Sequence, residues 1–167
     1  RANDSATTAP ALPPPSSARA LELNEAGRYV EARQVLDQLA AQGPLAGAML
    51  YRLYYCQNLE RLPAAPQTLA RAIEALEREQ ASAKNLEAAF YLVNAYSNSG
   101  RSADSRRVAE AATARIDSKQ LAEPTDPLEQ FRLGKLYADQ QKGEQAERWY
   151  SASLKSLPPA TGGTSPA

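Results

Sequence analysis

Histidine is absent from the chain, and cysteine occurs once, as Cys56. A disulfide framework within the chain is therefore excluded, and so are metal sites built from Cys and His. With no imidazole, neither the serines nor Cys56 has the usual base to activate it as a nucleophile, and no Ser–Lys motif stands in for one. Cys56 lies in an apolar stretch where a buried structural thiol is expected. Charge of one sign is not in excess either: 19 Lys plus Arg balance 19 Asp plus Glu. Nucleic-acid modules carry a basic excess or stripe, so no nucleic acid is expected. The same balance disfavours an anionic membrane surface. No apolar run approaches the length that spans a bilayer, so membrane insertion is not expected. The one glycine pair, Gly162-Gly163, is near the chain end and not between a strand and a helix, so it is no phosphate cradle. Glu31, Glu74, Glu77 and Glu144 fall on helix faces where solvated charge is the rule. These residues point away from an enzyme, and no cofactor or metal is expected.

What the chain does have is helical periodicity, clearest over residues 127–159, PLEQFRLGKLYADQQKGEQAERWYSASLKSLPP. Asp126, Pro127 and Glu129 supply an acidic N-cap, a proline at the first helical position and a carboxylate at the third. Phe131, Leu133, Leu136 and Tyr137 follow at helical spacing and predict one apolar face. Lys142-Gly143 marks a turn. Ala146, Tyr150 and Leu154 recur at every fourth position of a second helix, flanked by Trp149, and Pro158-Pro159 stops it. Gly134 costs about 1 kcal/mol in helix propensity against alanine, so close approach of the second helix, with Ala146 facing it, is the expected compensation.

The spacing Leu133-Gly134, Tyr137, Ala146, Tyr150, Pro158 resembles the tetratricopeptide repeat, with Gln130 where the pattern has its leading tryptophan. The resemblance returns upstream. Ala20, Leu23, Ala32, Leu36 and Pro44 hold matching positions around the turn GRYVEA. Leu92 and Tyr96 do so again, with Val93 in the glycine position and the turn at Asn98-Ser99-Gly100. Between them, residues 44–60 and 68–80 read as a helix pair, with a loop from Arg61 to Gln67 that carries Pro63 and Pro66. That connection is longer than the repeat allows, so its register is open. The resemblance implies an all-α fold, a right-handed superhelical α-solenoid of about four helix-turn-helix hairpins. Each hairpin buries its apolar face on its neighbours. Residues 17–159 are expected to form this domain. Residues 1–16, rich in Pro, Ala, Ser and Thr, read as a tail or linker, and residues 160–167 as a disordered tail.

The first residue is Arg1, as expected after removal of a leader or for a start inside a longer protein. The composition suggests a bacterial cell-envelope or periplasmic protein. In the family, the first helices line a concave groove that grips a peptide or partner helix. The resemblance places Phe90, Asn94, Ser97 and Asn98 there from one repeat, and Phe131, Lys135, Ala138 and Asp139 from the next. The Asn94 amide suits a ligand backbone, since it both donates and accepts. Phe90 and Phe131 either pack partner side chains or fill the stack between hairpins. They also stand where carboxylate-gripping relatives often carry lysine, which argues against a C-terminal carboxylate ligand. The reading is a non-enzymatic adaptor that binds a protein or peptide in a larger assembly. The alternative is a structural subunit packed through its convex face and tails.

Overall fold

The structure, a computed structural model, describes residues 14–158. All regular elements among them are helices: α1 (Ser17–Glu25), α2 (Tyr29–Gln42), α3 (Gly47–Leu59), α4 (Ala65–Gln80), α5 (Glu87–Asn98), α6 (Ser102–Asp117), α7 (Pro127–Asp139) and α8 (Gly143–Ser156). The chain divides into two compact units, Arg1–Pro44 and Leu45–Ala167. The expected tails lie almost wholly outside the described residues.

Local chemistry sets the helix ends. Ser16 accepts from the Arg19 N–H at 3.1 Å to start α1, and Asp126 accepts from the Glu129 N–H at 3.0 Å to start α7. Pro127 opens α7, where its missing N–H costs nothing. The first helix of each hairpin ends in one and the same way. Arg28, Leu62, Arg101 and Lys142 donate their N–H to the carbonyls of Leu23, Gln57, Tyr96 and Tyr137, five residues back, at 2.8, 2.8, 2.8 and 3.0 Å. The residue before each donor is left-handed: Gly27 (φ 73°), Arg61 (φ 55°), Gly100 (φ 75°) and Gln141 (φ 61°). This closure satisfies helix-end carbonyls that would otherwise be orphaned. The last turn therefore centres on Gln140–Lys142, and Gly143 already belongs to α8.

In the first unit, Ala20, Leu23, Ala32 and Leu36 are buried between α1 and α2, as the spacing predicts. The second unit packs α3 on α4, α5 on α6 and α7 on α8, with α5 also against α3, α4 and α7. Leu76, Leu86, Leu92, Val93, Leu133 and Leu136 are fully buried at its centre. Burial of each such leucine is worth about 1.5–3 kcal/mol.

Three local expectations are corrected. The stretch 61–67 is not all loop, because α4 starts at Ala65 and takes Pro66 into its first turn. Helix α3 begins at Gly47 instead of Pro44; the Glu79 carboxylate receives the Gly47 N–H at 2.8 Å and fixes the start there. Leu154 and Phe131 do not join the inward faces of their helices, and both are exposed. Ser153 takes the inward place on α8 and donates to the Pro127 carbonyl at 2.7 Å, tying the end of α8 to the start of α7.

Candidate functional site

The first helices of the second unit, α3, α5 and α7, lie side by side, and their shared face carries a continuous row of rings. Tyr54 and Tyr51 stand 5.7 Å apart between centroids, Tyr51 and Tyr91 5.4 Å, and Tyr91 and Phe90 5.2 Å. Phe90 and Phe131 follow at 6.3 Å, and Phe131 and Tyr150 at 5.6 Å. These are the separations at which tilted and edge-on aromatic pairs attract, each by about 0.5–1.5 kcal/mol beyond simple burial.

Phe90 and Phe131 differ in their surroundings. Phe90 is half-buried and packs on the core, whereas the Phe131 ring is exposed. Asn94 lies one turn beyond Phe90 on α5, half-buried, and its amide makes no hydrogen bond among the described residues. Asn98, a further turn along, is exposed and donates from Nδ2 to the Tyr51 hydroxyl at 2.8 Å. Burial, with the Tyr54 hydroxyl nearby, pushes the Tyr51 phenol up to about 12 against the opposing pull of Asn98, so it is neutral at physiological pH. On α7, Lys135 Nζ reaches Asp139 Oδ1 at 2.5 Å, one turn on. The second carboxylate oxygen of Asp139 is buried and has no partner among the described residues. The two charges thus occupy each other. Ser97 turns away from this face, its hydroxyl 3.0 Å from that of Ser105 on α6, and Ala138 is exposed without polar chemistry.

Sequence reasoning did not place Tyr51, Tyr91 or Arg132 at this site, and it read Tyr150 only as a repeat position of the last helix. Arg132 is buried between α7 and α5, hydrogen-bonded to Glu129 and 3.4 Å from Glu87. Its guanidinium also lies 5.9 Å from the centroids of both Phe90 and Tyr91. It fastens the two helices under the row of rings. Tyr51 and Tyr54 lie on α3, whose register stayed open because Arg61 stands in the place of a turn glycine, and the meeting of Tyr51 with Tyr91 on α5 is a matter of packing between helices.

Four hairpins close with the same turn, and the Gly134 backbone meets Tyr150 and Ala146 across the last of them. The described residues form four tetratricopeptide-like helical hairpins, one in the first unit and three packed together in the second. No family model matches the chain. No curated protein matches it. Among solved structures, YrrB, described as a TPR protein with an unusual peptide-binding site, is similar at 20% identity and a TM-score of 0.41. The match covers 84% of this chain and 66% of that one, so the chain spans just under two thirds of that protein's length.

Proposed function

We infer that this protein is a non-enzymatic interaction scaffold whose α3, α5 and α7 face seats a peptide or helix of a protein partner. The observation that carries the reading is Asn94. A half-buried amide with no hydrogen bond among the described residues stands one turn along α5 from Phe90, whose ring lies 6.3 Å from that of exposed Phe131, so donor, acceptor and apolar contact are offered along one helix face. Phe90, Asn94, Asn98, Phe131, Lys135 and Asp139 are the contact residues proposed. Lys135 and Asp139 are already paired, which makes the recognition one of rings and amides instead of net charge.

The test is affinity capture from the native source with wild-type and Asn94→Ala protein side by side, followed by affinity measurement with the partner so identified. Loss of the amide is expected to weaken binding by about 1–3 kcal/mol, since partner backbone groups are left unpaired. The melting temperature should stay unchanged, because the amide holds nothing within the fold. Unchanged affinity at unchanged melting temperature refutes the groove and favours a subunit role through other surfaces.

A further inference from the structure

The hairpins α5–α6 and α7–α8 can be set in register by their turns, Gly100 on Gln141 and the Tyr96 carbonyl on the Tyr137 carbonyl. In that register Glu87, Phe90, Thr113 and Ile116 correspond to Leu128, Phe131, Leu154 and Leu157. The first set faces α7. Glu87 reaches Arg132, Phe90 meets Phe131, and Thr113 receives the Gln140 amide at 3.0 Å. Thr113 and Ile116 are accordingly 2% and 6% exposed. The second set has no further helix packed over it among the described residues: Leu128, Phe131, Leu154 and Leu157 are 54%, 43%, 70% and 52% exposed, and Phe131 meets only the Phe90 and Tyr150 rings at its sides.

A terminal hairpin is soluble when its outer face is polar. Here the change runs the other way, since leucines stand at the positions of Glu87 and Thr113 on the last described hairpin. We propose that this end face of α7 and α8 is a docking surface for one amphipathic helix of a partner protein. The occupant's chemistry follows from α7, which covers the equivalent face one hairpin earlier. On α7, the polar residues Arg132 and Gln140 answer Glu87 and Thr113. Opposite Leu128 and Leu154 those positions must be apolar. With Leu136 between them, the docking helix carries apolar residues at every fourth position, as 132, 136 and 140 are spaced. Neither stretch outside the described residues reads as such a helix: residues 159–167 contain no Leu, Ile, Val, Met or aromatic residue, and residues 1–13 contain one, Leu12. The surface is distinct from the Asn94 groove, although Phe131 borders both.

A peptide with the sequence of residues 127–140 of this chain, carrying Arg132→Leu and Gln140→Leu, is the probe. Labelled and helix-stabilised, it is titrated with the protein by fluorescence anisotropy. Saturable binding is expected, with affinity falling by at least about tenfold in both Leu154→Asp and Leu157→Asp, as for loss of an apolar contact at an interface centre. Leu154 is the most exposed large apolar residue, so these variants should keep the wild-type melting curve. No saturable binding, or binding that both variants retain, overturns the proposal. So does a concentration-dependent dimer of the protein alone that Leu154→Asp dissolves, which would assign the face to a second copy.

Discussion

Gly134 is the place where the hairpin packing can be tested by a sign. A Cβ built there would stand 2.7 and 2.8 Å from two ring carbons of Tyr150 and 3.3 Å from the Ala146 carbonyl oxygen. Ordinary carbon contact begins near 3.5 Å, so the ring must retreat by about 1 Å. In Gly134→Ala the helix gains about 1 kcal/mol of propensity. Overpacking removes about 1–3 kcal/mol. The net is a loss of up to about 2 kcal/mol, held down because Tyr150 is half-exposed and can swing outward. With Tyr150→Ala already in place the ring is gone and only the Ala146 carbonyl is close. The same Gly134→Ala step should then stabilise by up to about 1 kcal/mol. Urea unfolding followed by circular dichroism on the four proteins of this cycle gives the coupling directly, expected at about 1–3 kcal/mol. Gly47 is the internal control. Its added Cβ would lie 2.6 Å from Leu76 Cγ, and Leu76 is fully buried with nowhere to go, so Gly47→Ala should cost more than Gly134→Ala. A Gly134→Ala protein more stable than wild type, by the full propensity gain, would refute the close approach and the register built on it.

Glu129 receives hydrogen bonds from buried Arg132 and from the Leu86 N–H, so Glu129→Ala should cost about 3–5 kcal/mol in thermal or urea unfolding. Glu74→Ala, which breaks an exposed 3.8 Å pair with Arg78, should change stability by less than about 1 kcal/mol. Gln141 is left-handed without being glycine, and Gln141→Gly should raise stability by up to about 1 kcal/mol in the same assay. Burial raises the Tyr51 and Tyr96 phenols from 10.0 to about 12, with Glu77 beside Tyr96 adding to it. A raised folded-state value means the stabilisation is complete below pH 10 and is lost as pH climbs toward 12, so a melting series across that window should fall steeply and Tyr51→Phe should flatten it. Because Lys135 and Asp139 neutralise each other, affinity for a groove-bound partner should change little between about 0.05 and 0.5 M salt; a steep salt slope would mean charge carries the binding.

The helices were legible where strong local signals agreed. Asp126, Pro127 and Glu129 mark the start of α7, and Gly27 and Gly100 mark two of the turns, because each of those residues has one dominant backbone use. The α3–α4 hairpin was less legible, since Arg61 adopts the left-handed turn that a glycine would have advertised and Pro66 sits inside a helix start. Leu154 misled for a different reason. Its spacing from Ala146 and Tyr150 is helical, but at 3.6 residues per turn every fourth residue drifts around the helix, and by the second step Ser153 is the inward residue. The placing of Asn94 and Phe131 on one face is an expectation drawn from register. The ring row through Tyr51 and Tyr91 could not be drawn so, because which rings meet across helices is a property of packing.

Phe131 is the residue that standard alanine mutagenesis would reach first, and it is the least informative one. Its ring touches Phe90 on one side and Tyr150 on the other, so truncation removes two internal contacts along with any external one. It is also the shared border of the α3–α5–α7 face and of the end face of α7 and α8. Loss of binding in Phe131→Ala would therefore fit a peptide in the groove, a helix on the end face, or a loosened stack. Asn94 and Leu154 separate these cases. One is a polar group on α5 with no hydrogen bond among the described residues, the other an apolar group on α8 with most of its surface in solvent. Neither is needed by the core, and they lie on different helices. A partner that depends on Asn94 alone uses the groove. One that depends on Leu154 alone extends the stack. A partner sensitive to both must enter along the groove and continue past Phe131 onto the end of the array.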